Sequence, residues 1–333
     1  MVRLKDIAEA CGVSVATVSR ALNGLTNENK ERTALICQAA REMGYYPNAA
    51  ARTLKTSRSS NIGILYEDRM NHEYFSSLMD ELRSAAEDCG YDLTLIGRSG
   101  GKGTESYYDH ARRRNLDGVV VIQADFDSAN VIRLASSDMP SVVIDHVYEG
   151  CDCVSSDNRA SMERIVRHVA AHGHRNIAFI TGQPGAVSQE RLAGFYKTCA
   201  ELGIRVPEGF VREGRFHDPE GCIRIVRELL KGDEKPTCIL CPDDYSCLGA
   251  LWALKAEGTR IPDELSLIGY DGIRMTRMIQ PMLTTYRQNT EAIAREAINL
   301  LTEAIETPEK HKPRQITVEG MLLEGDTLGE LSR

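Results

Sequence analysis

The apolar positions of the first 22 residues follow the repeat of two short helices. Gly12 ends the first helix, and Ser14 is a good N-cap for a second helix that runs to about Leu22. Because only Cys11, Gly12 and Val13 separate the two helices, the spacing predicts a sharp helix-turn-helix pair. The apolar stripe of the first helix consists of Leu4, Ile7, Ala8 and Ala10 or Cys11.

The second helix has two unlike faces, and a third helix follows from about Lys30 to Met43. Plain helical hairpins show the same pattern, so the pattern alone leaves DNA binding and a structural hairpin open. The inner face of the second helix is Val18, Ala21 and Leu22, and that of the third is Leu35, Ile36, Ala39, Ala40 and Met43. The outer residues of the second helix are small, polar or basic, which suits entry into a major groove; they are Val15, Ala16, Thr17, Ser19 and Arg20.

From Asn61 onward, short apolar runs alternate with helical stretches. Strands are predicted at Ile62–Tyr66, Asp92–Ile96, Gly118–Ile122, Ser141–Asp145, Ile177–Thr181, Cys238–Cys241 and Leu265–Tyr270. Helices are predicted near 73–89, 104–114, 157–172, 187–203, 218–231 and 244–257. This alternation predicts parallel sheets with helices on both faces.

Aspartates stand at the ends of several predicted strands. Asp145 ends the fourth strand, Asp243 and Asp244 follow the sixth, and Asp271 follows the seventh. Because open parallel sheets bind ligands beyond the carboxyl ends of their strands, we expect these side chains to converge on one crevice. Carboxylates combined with an arginine suit hydrogen bonding to sugar hydroxyls. Helix capping is the alternative role of each aspartate.

Composition places the chain among ordinary globular proteins. Its 333 residues, 42% hydrophobic and 26% charged, predict about two domains with a sizeable core. No apolar stretch approaches the roughly 18 residues of a membrane span, and the charged start shows no signal peptide. The ten cysteines are too sparse for a disulfide framework, so we expect reduced thiols and a cytoplasmic location.

Charge divides the chain unevenly. Residues 1–58 hold nine Lys or Arg against five acids, a balance of +4, whereas the remainder holds 31 basic and 43 acidic residues, a balance of -12. A basic minority on an acidic majority suggests that only the first part meets phosphate.

Two motifs near the N-terminus carry a family resemblance. The segment LKDIAEACGVSVATVSRALN (Leu4–Asn23), followed by GYYPNAAARTLK (Gly44–Lys55), resembles the headpiece of the LacI/GalR family of bacterial transcription regulators, and the resemblance continues to about Glu319. It implies an all-α helix-turn-helix headpiece and a periplasmic-binding-protein-like α/β body of two parallel-sheet subdomains. One departure is Glu28–Thr33, which replaces the family's usual Val-Ser-x-x-Thr-Arg and leaves Arg32 as the substitute phosphate contact.

The resemblance also implies the division of the chain. A DNA-binding domain takes residues 1–46, a hinge helix and linker take 47–60, and an effector-binding and dimerisation domain takes 61–333. Within that domain, subdomain one covers about 61–156 plus 288–317. Subdomain two covers about 157–287 plus 318–333.

The hinge contains a helix-prone run too short to be stable alone. A simple linker is the alternative from composition. The resemblance implies instead that paired hinge helices enter the minor groove, where Leu54 wedges a base step. The predicted DNA-binding residues are Ser14, Val15, Ala16, Thr17, Ser19, Arg20, Asn23, Asn48, Ala51, Leu54 and Lys55.

The resemblance assigns an effector to the crevice between the subdomains. It selects Arg191, within Gln189–Phe195, together with Asp243, Asp271 and Gln288. Tyr74 and Phe75 follow the first strand, where aromatic side chains stack on sugar faces. The predicted effector-binding residues are therefore Tyr74, Phe75, Asp145, Arg191, Asp243, Asp271 and Gln288.

A homodimer is also implied. By the resemblance Leu248, Trp252, Ile279 and Met282 form part of its interface, although a core role for the single Trp is the alternative. The chain ends soon after Glu319 without a leucine heptad, so we expect a dimer that covers a two-fold-symmetric operator.

Three motifs resemble chemistry that the sequence does not support. Cys238 and Cys241 lie within one predicted buried strand without a second pair, so they are expected to be core thiols rather than a zinc or redox site. His172 and His174 mark a helix terminus, and Gly97–Gly103 lacks the spacing of a phosphate-binding loop. No catalytic set stands out, so we predict neither enzyme nor cofactor nor metal.

The sequence therefore predicts a DNA-binding regulator, most simply a repressor controlled by a small carbohydrate. The alternatives are a corepressor-dependent regulator that responds to a nucleobase or phosphosugar, and a sugar-binding protein that does not bind DNA. A solute-binding protein for transport would need an export signal and would lack a headpiece. A sugar-modifying enzyme would need a cofactor, a metal set or a nucleophile paired with the aspartates.

Substitutions on the second helix distinguish base recognition from phosphate binding. Changing Val15 or Ala16 should alter operator preference, because their apolar groups suit thymine methyls. Changing Arg20 should weaken binding to every sequence alike. Binding measured on a panel of operator variants checks both, and unchanged preference and affinity would contradict the assignment.

Overall fold

A computed structural model describes residues 2–22, 30–45, 58–67, 72–97 and 106–331. The chain divides between Ser59 and Ser60 into a small N-terminal unit, the headpiece, and a larger body. No described helix is both long enough and apolar enough to cross a bilayer. Five predicted DNA-binding residues lie outside the described ranges: Asn23, Asn48, Ala51, Leu54 and Lys55.

The described headpiece packs three helices, α1 (Leu4–Ala10), α2 (Val15–Leu22) and α3 (Lys30–Glu42), around a small apolar core. Gly12 turns the chain between α1 and α2 with a φ of 62°, which favours glycine. Ser14 caps α2, since its Oγ accepts the Thr17 backbone N–H at 3.1 Å. The buried core residues are Ile7, Ala8, Val18, Ala21, Ile36 and Ala40.

The predicted inner position of Leu35 on α3 is wrong, because this side chain is 65% exposed. Its neighbour Ile36 is buried, and Cys37 faces α2, where its thiol donates to the Ala21 carbonyl oxygen at 3.9 Å. Successive residues lie about 100° apart around a helix. An adjacent apolar pair therefore does not reveal which member faces the core.

The described body contains two six-stranded sheets, one in each subdomain. In subdomain one the order is β11-β5-β4-β3-β1-β2, all parallel, with β1 Asn61–Tyr66, β2 Asp92–Ile96, β3 Gly118–Ile122, β4 Ser141–Ile144, β5 Asp152–Ser156 and β11 Gln315–Val318. In subdomain two the order is β12-β10-β9-β8-β6-β7, with β6 Ile177–Thr181, β7 Val211–Glu213, β8 Cys238–Leu240, β9 Ser266–Asp271, β10 Thr284–Arg287 and β12 Met321–Leu323. Only β12 pairs antiparallel.

Helices cover the faces of both sheets. Subdomain one carries α4 (Glu73–Asp88), α5 (Tyr107–Arg113), α6 (Ala129–Ala135) and α11 (Thr290–Glu306). Subdomain two carries α7 (Asn158–Ala171), α8 (Ala186–Glu201), α9 (Pro219–Lys231) and α10 (Asp244–Ala256), with a 3-10 helix at Arg274–Arg277. The chain crosses between the subdomains after β5, after β10 and after β11.

The predicted alternation of strands and helices is confirmed, and every predicted element of the body is present. The elements that were not predicted are short, polar or close to a crossover. β5 has the polar sequence DCVSS, and β7 has only three residues. α11, which packs against α4, β3 and β4, follows a crossover that gave no strand signal of its own.

Candidate functional site

A cavity of about 980 Å³, called the cleft below, lies between the two subdomains. Residues that follow β1, β3 and β4 line one wall, and residues at the ends of β6, β7 and β9 line the other. Gln288, on the crossover after β10, also lines it. The volume is at the upper end of the roughly 300–1,000 Å³ found for small-molecule sites. The carboxyl ends of two parallel sheets therefore face one space, as predicted.

Asp271 lies at the end of β9 and contributes a buried carboxyl group to the cleft. Its φ of 113° is a strained conformation for a residue other than glycine. Gln288 donates from Nε2 to Asp271 Oδ1 at 2.7 Å. Burial raises the pKa of Asp271 to about 7, with a further increase from Asp243 and an opposing effect of Arg191.

Arg191 reaches the cleft from the first half of α8. Its Nε donates to Asn158 Oδ1 at 2.9 Å, and its Nη1 donates to the Pro242 carbonyl oxygen at 2.9 Å. The guanidinium carbon lies 3.4 Å from the centre of the Tyr270 ring and 5.5 Å from that of Phe216. Hydrogen bonds and ring contacts therefore fix a flat cation in the wall of the cleft.

Asp145 and Tyr74 bring subdomain one to the same space. Asp145, at φ 64°, accepts the Ser156 backbone N–H at 3.2 Å, and burial raises its pKa. The Tyr74 hydroxyl donates to Gln288 Oε1 at 3.5 Å, and Ser156 Oγ donates to the same oxygen. Gln288 thus links groups of subdomain one to Asp271 in subdomain two.

Two predicted effector contacts have other positions. Phe75 does not line the cleft; it is buried against Tyr66, with ring centres 3.9 Å apart. Asp243 is the N-cap of α10, where its carboxylate accepts the N–H groups of Ser246, at 2.8 Å, and His217, at 2.9 Å. Asp243 is 1% exposed and supports the cleft from behind rather than lining it.

Tyr74 was predicted, but the other rings named here in the cleft walls were not. Phe126 and His146 stack in subdomain one with ring centres 4.6 Å apart, and Phe216 contributes a ring from subdomain two. These residues lie in loops after β3, β4 and β7. A residue just after the end of a parallel strand is a candidate for the ligand site. The predicted strands β3 and β4 therefore pointed to Phe126 and His146, although neither was selected.

Three consecutive residues at the start of α4 contact subdomain two or the crossover. The ring of His72 stacks on His217 with centres 3.6 Å apart. Glu73 accepts the backbone N–H groups of Arg274, at 2.6 Å, and Met275, at 3.2 Å. Together with the bond from Tyr74 to Gln288, these contacts hold the subdomains together at the loop that follows Asp271.

One group among the described residues has ligand atoms close enough for a metal ion. His217, Asp243 and Asp271 present donors within 4.8 Å of one another. Both oxygens of Asp243 already accept hydrogen bonds from Ser246, and one also accepts from His217. These hydrogen bonds of Asp243 explain why the three side chains lie close together beside the cleft.

The other cysteine and histidine motifs have structural positions. Cys238 and Cys241 are buried, and burial raises the pKa of the Cys238 thiol. His172 is the C-cap of α7, and His174 is buried between Thr237 and the Gly329 carbonyl oxygen.

The predicted dimer residues differ in exposure. Leu248 is 2% exposed and belongs to the core of subdomain two, so its predicted place at the surface is wrong. Trp252 is 53% exposed, whereas Ile279 and Met282 are half-buried. The neighbouring Met278, which was not among the predicted residues, is 68% exposed. The single Trp is therefore a surface residue in the chain as described.

The outer face of α2 is accessible. Val15 is 44% exposed, and Ser14, Ala16 and Arg20 are also exposed. Thr17 and Ser19 are half-buried. Arg20 donates from Nε to the Ala16 carbonyl oxygen at 3.4 Å, which lays its side chain along the helix.

A helix-turn-helix headpiece joined to a two-subdomain body with a ligand-sized cleft defines a class of DNA-binding regulators controlled by small molecules. Residues 3–48 match the family model for bacterial regulatory proteins of the lacI family, and residues 166–328 match a periplasmic binding protein-like domain. The chain is 30% identical over 321 residues to the HTH-type transcriptional repressor PurR of Histophilus somni (strain 129Pt), covering 95% of each. It is 29% identical to that of Vibrio cholerae serotype O1 (strain M66-2), covering 100% of each. The chain belongs to the LacI family: it is a DNA-binding transcriptional repressor with a ligand-binding body, not an enzyme.

Solved structures share the fold. The Lac repressor dimer bound to operator and the anti-inducer ONPF has a TM-score of 0.80 at 23% identity, covering 98% of this chain and 99% of that one. A complex of the transcriptional regulator CelR with cellobiose has a TM-score of 0.71 at 24% identity, covering 98% and 100%. The predicted fold class and family are confirmed.

Asp271→Asn should stabilise the protein at pH 8. Because the pKa of Asp271 is raised to about 7, above the value near 4 of an unfolded aspartate, its ionisation lowers stability as pH rises between those values. The amide cannot ionise and still accepts from Gln288, so we expect a gain of about 1–2 kcal/mol at pH 8 and none at pH 4.

Urea denaturation at both pH values measures the gain, with Asp263→Asn on the surface as the control for loss of one acid. An equal effect of Asp271→Asn at pH 4 and pH 8 would contradict the prediction.

Proposed function

We propose that this repressor binds its operator under the control of a neutral carbohydrate held in the cleft. The observation that carries the proposal is the set of fixed polar groups, Asp145, Arg191, Asp271 and Gln288, beside flat aromatic side chains. Such a combination binds sugar hydroxyls at their edges and sugar rings on their faces. Two further described residues, Tyr74 and Phe216, supply rings next to the polar set.

The charge of the cleft favours a neutral effector over an anionic one. Among the described lining residues, five carboxyl groups stand against two guanidinium groups, and Arg191 is already bonded within the protein. A phosphosugar would bring negative charge next to these acids. The lining residues concerned are Glu67, Asp125, Asp127, Asp145 and Asp271, with Arg191 and Arg215.

A corepressor logic with a nucleobase is the second candidate. The flat faces of Tyr74, Phe126 and Phe216 would stack on a planar base as well as on a sugar ring. The Gln288 amide and the Asp271 carboxyl offer the donors and acceptors that a base edge needs. Binding would then hold the cleft closed and strengthen operator binding rather than weaken it.

On the DNA side, we propose that the outer face of α2 reads the major groove in each half of a two-fold-symmetric operator. Val15 and Ala16 would contact bases, and Arg20 a phosphate. The hinge around Leu54 remains the predicted link from the body to the minor groove.

A thermal-shift screen of sugars and nucleobases, followed by gel shifts on the chain's own upstream DNA, tests the effector. A sugar that raises the melting temperature should weaken the operator complex at least tenfold. Arg191→Ala should abolish the temperature shift, because it removes the flat cation of the cleft. Arg205→Ala, an exposed cation paired with Glu234, is the matched control.

A nucleobase that raises the melting temperature and tightens the operator complex would overturn the carbohydrate proposal and support the second candidate. A chain whose operator binding responds to no ligand would overturn both.

We also propose that the exposed apolar surface around Trp252 and Met278 is the homodimer interface. Lys255, one turn after Trp252 on α10, donates from Nζ at 2.8 Å to the carbonyl oxygen of Gln280, two residues after Met278, so the two segments are adjacent. Exposed Trp and Met side chains are typical of interface cores. Tyr245 and Met275, 41% and 42% exposed, extend the same set.

Trp252→Glu and Met278→Glu should each convert the dimer to a monomer, because a buried unpaired carboxylate costs several kcal/mol. Light scattering after gel filtration measures the mass, and operator binding should fall with it. Tyr196→Glu, at another aromatic residue that is 46% exposed, is the control. Variants at Trp252 and Met278 that stay dimeric would contradict the assignment.

A further inference from the structure

A second cavity of about 330 Å³ adjoins the cleft and belongs wholly to subdomain two. It lies at the carboxyl ends of β6 and β7 and beside the first turns of α9. Gln183, Pro184 and Arg215 line both this cavity and the cleft. The two spaces therefore meet along a shared wall.

The shared wall is held in place by several contacts. Gln183 Oε1 accepts the Phe216 backbone N–H at 2.9 Å, and the Gln183 carbonyl oxygen accepts from Ser188 Oγ at 2.7 Å. A Cβ on Gly182 would lie 2.2 Å from the ring of Phe216, so that ring packs directly on the Gly182 backbone. A ligand that passes from the cleft to the second cavity would meet a fixed surface.

The side chains of the second cavity combine donors with an acceptor. Arg215, Arg224 and Glu213 are exposed, and their side chains make no hydrogen bond or ion pair with any described residue. Asp218 is already committed, because it accepts the Gly221 N–H at 3.0 Å as the N-cap of α9. Two guanidinium groups balanced by two carboxylates suit a neutral ligand rich in hydroxyl groups rather than an anion.

We propose that this cavity is an extension subsite of the cleft, which binds a further sugar unit of an oligosaccharide whose first unit lies against Arg191 and Asp271. The proposal rests on the carbohydrate effector proposed above. The cleft alone already reaches the upper limit of common ligand sites, and the second cavity adds about 330 Å³. The combined space therefore suits a linear effector of two or more units better than a single sugar.

Calorimetric titration of the full chain with matched mono-, di- and trisaccharides of glucose, galactose, xylose and mannose tests the subsite. In the series that binds, the longest sugar should bind at least tenfold more tightly than the monosaccharide. Arg224→Ala should weaken binding of the long sugar about tenfold and should change binding of the monosaccharide less than twofold. Arg227→Ala, one turn further along α9 and paired with Glu257, is the matched control.

A monosaccharide that binds as tightly as its trisaccharide, or an Arg224→Ala chain with unchanged affinities, would overturn the subsite while leaving a carbohydrate effector in the cleft. Arg191→Ala separates the two proposals, because it should weaken binding of every length. If no sugar binds, the carbohydrate effector and the subsite both fail.

Discussion

Burial of the Asp271 carboxyl group between two subdomains is the constraint on which the cleft depends. An acid removed from water needs partners. Gln288 on the crossover donates a hydrogen bond to Asp271, and Arg191 on α8 lowers its pKa, whereas the neighbouring Asp243 raises that pKa. The partners that stabilise the ionised acid are incomplete, since its pKa remains near 7. A ligand that donates a hydrogen bond to this carboxylate would supply what the protein leaves out, and stability sacrificed at that position is typical of a binding site.

The parallel body could be predicted because its central strands are buried along their full length. β3 and β6 are continuous apolar runs bounded by helical stretches, and both were predicted with the observed limits. β5 could not be predicted, because its Asp and Ser residues look like a loop. Its Asp152 is buried and forms hydrogen bonds with His311 and with the Arg314 backbone N–H. Both partners lie more than 150 residues away along the chain, so a pattern of neighbouring residues cannot reveal them.

The candidate site was predicted only in part, because the sequence places a residue near the cleft without showing which way its side chain points. Tyr74 and Phe75 are adjacent in α4, and the rotation of about 100° between them sends one to the cleft and the other to the core. Asp243 and Asp271 both stand after a strand. The first caps a helix and the second faces the ligand space, and only the tertiary contacts distinguish these roles. Leu248 and Trp252 lie one turn apart on α10 and yet differ from 2% to 53% exposure.

The Glu73 carboxylate, which accepts the backbone N–H groups of Arg274 and Met275, connects the cleft to the outer surface of the body. Those amides begin the one-turn helix Arg274–Arg277, which lies three residues after Asp271. Met275 within this helix and Met278 directly after it have exposed side chains. A separation of the subdomains would remove the Glu73 carboxylate from these two amides, and a helix of one turn is too short to persist unaided. The eight residues from Asp271 to Met278 therefore connect a carboxyl group of the cleft directly to an exposed apolar surface.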